Sequence, residues 1–118
     1  MEVQIFGTQK SPDTRKAQRF FKERRVKVHF VDLKIRPASR GELNRFAQKF
    51  GAEALVDRRS KRFQNLGLAT AYYSDRKWLE ILEMEPQILV QPLVRYRNRL
   101  TIGLAETEWK GWVEGGVD

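Results

Sequence analysis

Apolar and polar positions in this chain alternate over short stretches near both ends and recur at helical spacing in between. Residues 2–6 alternate weakly and stop at Gly7, the pattern of a short strand. Ser11-Pro12 then opens a helix, because serine is a favoured N-cap and proline a favoured first helical residue. Ala17, Phe20, Phe21 and Arg24 share one face of that helix, which should end near Arg25. Val26 to Leu33 reads as a second strand, with Val26, Val28 and Phe30 on one side and His29 on the other.

Arg36-Pro37 interrupts the pattern. Ser39 caps a helix running to about Phe50, and Glu42, three residues on, completes a capping box. Leu43, Phe46, Ala47 and Phe50 form its apolar stripe, and Gly51 stops it. A short helix is expected over 52–56 and another over about 59–66, ending at Gly67. Thr70 to Met84 reads as one helix with Trp78, Leu79, Ile81 and Leu82 apolar, ended by Pro86, with a further turn over Gln87 to Val90. Leu93 to Tyr96 and Leu100 to Ile102 read as a hairpin around Asn98-Arg99, and Arg95 and Arg97 as neighbours on one strand face. Glu106 to Val113 is the last helix, with Trp109, Trp112 and Val113 on one face.

The order is therefore β-α-β, a helical insertion at about 38–88, then β-β-α. It predicts an α/β fold: one four-stranded mixed sheet, its first two strands parallel and its last two a hairpin. Residues 1–113 are expected to form a single domain, and 114–118 a loose tail.

Charge and composition narrow the chemistry. Lys and Arg number 23 against 15 Asp and Glu, a net charge of +8 that favours anionic partners: nucleic acid, small oxyanions or acidic proteins. No apolar run approaches the roughly 18–20 residues of a membrane span, so no membrane role is expected. The N-terminus lacks a basic flank and a long apolar stretch, so no signal peptide and a cytoplasmic location are expected. There is no cysteine, which excludes disulfides, thiolate nucleophiles and cysteine metal sites on this chain. The one histidine, His29, makes a histidine metal site improbable, and no metal or cofactor is expected.

Four segments carry a resemblance. They are Phe6-Gly7-Thr8 through Arg15-Lys16-Ala17; Arg59-Ser60-Lys61-x-Phe63-Gln64-x-Leu66; Leu89-Val90-Gln91-Pro92-Leu93-Val94; and Arg99-Leu100-Thr101-Ile102-Gly103. In this order and spacing they resemble the family of glutaredoxin-linked arsenate reductases and Spx transcriptional regulators, over about residues 3–113. The resemblance implies a thioredoxin-like fold with an inserted helical subdomain and a cis peptide bond before Pro92.

It also locates what is missing. The family's cysteine motif falls on Ser11 and Thr14. A cysteine suits a helix N-terminus because free N–H groups and the helix dipole stabilise its thiolate. Serine offers no comparable nucleophile near pH 7, so Ser11 reads as an N-cap and no catalytic residue is assigned. The helix N-terminus from Ser11 to Thr14, including Pro12 and Asp13, still presents free N–H groups and, flanked by Arg15 and Lys10, remains an anion-binding candidate. By resemblance, Arg59 matches an arginine that contacts the oxyanion in the reductases. Gln91, beside Pro92, stands where they have a second one, so a bidentate clamp is lost.

The Spx regulators bind the C-terminal domain of the RNA polymerase α subunit, and the resemblance places Gly51 at their interface glycine. Gly51, Arg58, Arg59, Lys61 and Arg62 are the candidate partner surface. Three functions follow as expectations. One is an Spx-like binding or regulatory protein without thiol redox activity, partnered by the α C-terminal domain or another acidic protein. Another is a degenerate reductase-like protein that retains oxyanion or glutathione binding. The third is a nucleic-acid binder using the basic surface.

Overall fold

A computed structural model describes residues 1–115. The chain divides into two compact units: residues 1–33 with the segment from Gln91 onward, and Lys34–Val90.

The first unit is built on a four-stranded mixed sheet. Strands β1 (Glu2–Gly7), β2 (Lys27–Asp32), β3 (Leu93–Tyr96) and β4 (Arg99–Ile102) lie in the order β2-β1-β3-β4. β1 and β2 are parallel, joined through helix α1 (Pro12–Glu23), while β3 runs antiparallel to both β1 and β4. The register sets Ile5 against Phe30 on one side and Val94 on the other. Alternation places Val3 and Ile5 of β1 with Val94 and Tyr96 of β3 on one sheet face. Ala17, Phe20 and Phe21 of α1 and Trp109 and Trp112 of α5 (Glu106–Gly115) close the same core. Trp109 sits 5.3 Å from the Phe21 ring and 5.6 Å from Phe20, and its indole N–H donates to Thr101 Oγ1 at 2.8 Å, so this buried indole carries no unmet polar group.

Several sequence expectations shift here. Arg24 shares the apolar face of α1 but is exposed; its guanidinium lies 3.7 Å from the Phe20 ring and donates to Phe20 O. The hairpin turns at Arg97-Asn98, with Arg97 at φ 55, and Arg99 begins β4. Arg97 is thus a turn residue, not a face neighbour of Arg95, although Arg95 Nε donates to its carbonyl at 2.8 Å. Glu114 and Gly115 continue α5 rather than starting a loose tail; the rest of that stretch lies outside the described residues. His29 is exposed on β2 and pairs with Glu2 at 3.3 Å. That hydrogen bond, together with the charge of Lys27, holds the Glu2 carboxyl below its ordinary range.

The second unit packs α2 (Arg40–Phe50) against α4 (Asp75–Met84), with a 3₁₀ turn at Ala52–Leu55, the short α3 (Lys61–Asn65) and a second 3₁₀ turn at Pro86–Ile88. Leu43, Phe46, Leu55, Phe63, Trp78, Leu82 and Ile88 are its largest fully or almost fully buried apolar residues. Ser39 and Glu42 form the expected capping box at the start of α2. Burial acts to raise the Glu42 carboxyl, but hydrogen bonds from Arg36 and Ser39 and the Arg36 charge outweigh it and hold the group below its ordinary range. The helix expected from Thr70 starts only at Asp75, because Ser74 takes the N-cap and accepts from Lys77 N–H at 3.2 Å. Tyr72 and Tyr73 therefore lie on a loop.

Candidate functional site

Ser11, Thr14 and Gln91, which the resemblance singles out in the sequence, belong to a small hydrogen-bonded cluster in the first unit. Ser11 is the N-cap of α1: its Oγ accepts from Thr14 N–H at 3.1 Å, and its carbonyl accepts from Arg15 N–H at 3.1 Å. Its own N–H donates back to Thr8 O at 3.1 Å. The hydroxyl thus acts as an acceptor for the first turn, the role that favours serine there.

Thr14 is fully buried, and its side chain lies against Gly7, the last residue of β1. A Cβ on Gly7 would stand 2.4 Å from Thr14 Oγ1 and 2.6 Å from Cγ2. The glycine is required for this close approach, since a buried β-branched side chain has few rotamers to escape into.

Gln91 completes the cluster. Its Oε1 accepts from Thr8 N–H at 2.7 Å, from Thr8 Oγ1 at 3.2 Å and from Thr14 Oγ1 at 3.4 Å. An N–H can only donate, so the amide must present its oxygen, not its nitrogen, to Thr8. Gln91 is joined to Pro92 by a cis peptide bond. Arg15 is exposed, and its guanidinium donates to Gln9 O at 2.5 Å; Asp13 is the acidic residue of the first turn of α1, which suits the helix dipole. Pro12 is the first helical residue and is exposed.

Ser11, Pro12, Asp13, Thr14, Arg15, Gln91 and Pro92 therefore all belong to the first unit. Thr8 is the member that sequence reading did not single out. It lies inside the Phe6-Gly7-Thr8 segment, but the partner that gives it a role is 83 positions away.

The remaining candidates lie in the second unit. Gly51 ends α2 at φ 85, and a Cβ there would meet nothing within 4 Å, so only the backbone conformation selects glycine. Arg58, Arg59 and Lys61 are exposed on the turn that enters α3. Asp57 and Ser60 fix this turn. Asp57 Oδ1 accepts from Arg59 N–H at 3.1 Å, Asp57 O accepts from Ser60 Oγ at 2.8 Å, and Ser60 Oγ caps α3 by accepting from Phe63 N–H at 3.2 Å. Arg62 points its guanidinium at Glu85, with contacts of 3.1 and 2.5 Å that raise its pKa, first through the hydrogen bonds and then through the opposite charge. Arg58 lies over the rings of Phe63 and Trp78. Among the described residues no group of three or more His, Asp or Glu side chains is placed to hold a metal, and no helix is long and apolar enough to cross a membrane.

Comparison with known proteins agrees with this architecture. Spx 2 of Oceanobacillus iheyensis, a global transcriptional regulator, is 27% identical over 110 residues, spanning 92% of this chain and 81% of its own length. The solved structure of the YffB protein has a TM-score of 0.86 at 21% identity and covers 92% of this chain and 96% of its own. The arsenate reductase of Vibrio cholerae has a TM-score of 0.78 at 18% identity and covers 99% of this chain and 98% of its own. At these identities the two structures establish the fold alone. The ArsC family model matches residues 6–112, nearly the whole chain, and this protein therefore belongs to the ArsC family, as a member without a cysteine.

Proposed function

We propose that this protein is a binding or regulatory member of the ArsC family that works without thiol redox chemistry. Its proposed partner is the C-terminal domain of the RNA polymerase α subunit, or an acidic protein of similar charge, met in the cytoplasm. One observation carries this reading. Arg36, Arg40 and Arg62 each pair with a glutamate, whereas Arg58, Arg59 and Lys61 have no carboxylate partner among the described residues. Their turn is nonetheless fixed by the Asp57 and Ser60 hydrogen bonds, so three exposed positive charges are presented on ordered backbone. Exposed cations of this kind contribute little to folding but steer encounter with an acidic surface. The regulatory part of the reading draws support from Spx relatives named as global transcriptional regulators.

The first unit supports the non-redox half. The Ser11 hydroxyl is engaged as an N-cap, and the chain has no thiol to relay electrons. The oxyanion and glutathione reading has weaker support, because Gln91 sets a carbonyl oxygen against the Thr8 N–H where an anion would need a donor. Titration of the purified α C-terminal domain tests the proposal. The native chain should bind, and the double variant Arg59→Glu, Lys61→Glu should bind about tenfold or more weakly. A native chain that shows no binding refutes it.

A further inference from the structure

We infer that Arg58, Tyr72 and Tyr73 form the anchor of this binding surface, and that they read a carboxylate set beside an apolar or aromatic side chain on the partner protein. The inference rests on the reading of the second unit as a protein-binding surface. It begins at Trp78, which is fully buried and packs 6.5 Å from the Phe63 ring, itself buried. The guanidinium of Arg58 lies 5.4 Å from the Phe63 centroid and 5.6 Å from that of Trp78. Tyr73 meets the same indole edge-on at 5.0 Å. A cation and an exposed aromatic are thus seated on one rigid aromatic base.

Two consequences follow. A guanidinium seated on aromatic rings has lost part of its rotamer freedom before any partner arrives, so less is lost when it engages a carboxylate. Among the described residues no carboxylate of the chain itself pairs with it. Beside this group, Tyr72 is 93% exposed, more than any other large apolar side chain of the described residues. It is exposed because Ser74 takes the N-cap of α4 and leaves Tyr72 and Tyr73 outside the helix. Tyrosine and arginine carry a disproportionate share of binding energy at interfaces, and tyrosine does so with few rotors to immobilise.

Charge favours a protein over a nucleic acid as occupant. In the second unit the exposed cations that have no carboxylate partner among the described residues gather at Arg58, Arg59 and Lys61, with Arg45 on α2 as a further one, and the chain places Asp57 before the turn and Asp75 just after the tyrosines. A polynucleotide gains affinity from a track of cations spanning several phosphates, and from several stacking platforms. A point cluster beside one open tyrosine matches an acidic side chain with an apolar neighbour.

The test is equilibrium binding of the intact chain to the purified α C-terminal domain, with a single-stranded oligonucleotide as competing probe. Tyr72→Ala should weaken binding about tenfold or more while leaving thermal unfolding unchanged, because the side chain is exposed. Arg58→Gln should weaken it similarly, and Arg19→Glu, a larger charge change on the exposed side of α1, should not. If the native chain binds and both Tyr72→Ala and Arg58→Gln bind equally well, the anchor is wrong and the function stands. If the native chain does not bind the domain, both fall. If instead the oligonucleotide binds and Tyr72→Ala abolishes that binding, the surface reads nucleic acid and the inference is overturned.

Discussion

The Ser11–Gln91 cluster and the Arg58–Lys61 turn solve opposite problems. In the first, polar groups face one another: Thr8, Ser11, Thr14 and Gln91 satisfy donors and acceptors within the chain, and Gly7 makes room for the packed threonine. In the second, the internal hydrogen bonds fix only the backbone of the turn, and the charged side chains are left for solvent or a partner. A helix N-terminus that is internally closed has little to offer an incoming anion. An ordered turn with unpaired cations has much to offer an acidic one. Family membership alone would have pointed to the first region; the disposition of polar groups points to the second.

This contrast can be broken by substitution. The largest effect is expected from Gly7→Ala, whose new methyl collides with Thr14; the cost should be about 3 kcal/mol by urea denaturation. Adding Thr14→Ala should recover part of that loss, a coupling that a double-mutant cycle measures. Gln91→Leu removes the oxygen shared by Thr8 and Thr14 and should cost about 1–2 kcal/mol, whereas Gln91→Glu, which keeps an acceptor, should cost less.

A smaller effect separates paired from unpaired charge. The Glu42 carboxyl is held below its ordinary range, so its contribution to stability is present above the unfolded-state value of roughly 4.3 and is lost as pH falls through the lower folded value. Urea midpoints measured on descending from pH 6 should fall more steeply for the native chain than for Glu42→Gln. The smallest effect is expected at the turn itself: Arg59→Ala with Lys61→Ala should change stability by less than about 0.5 kcal/mol. A large loss there would show that these cations hold the fold rather than face a partner.

Much of the scaffold was legible because local signals decided it. Ser11-Pro12 and the Ser39–Glu42 box start helices by hydrogen bonds reaching only three residues, and these starts stand where the sequence sets them. The failures came where a second signal competed. Apolar spacing alone extends a helix back to Thr70, but the cap at Ser74 prevails and frees the tyrosines. In the hairpin the left-handed conformation falls on Arg97, a residue type that does not announce it.

The site divides the same way. The cis bond before Pro92 was readable by resemblance, because a short motif carries it. The Thr8–Gln91 bond and the seating of Arg58 over Phe63 and Trp78 join residues from separate segments, and only the fold reveals them.

One comparison bears most directly on the account. The affinity of the α C-terminal domain should be measured for the native chain, for Arg59→Glu with Lys61→Glu, and for Ser11→Ala. The account predicts that the turn variant loses about tenfold or more while Ser11→Ala binds like the native chain. Binding that survives charge reversal at the turn but is lost with Ser11→Ala would contradict it, as would a native chain that does not bind.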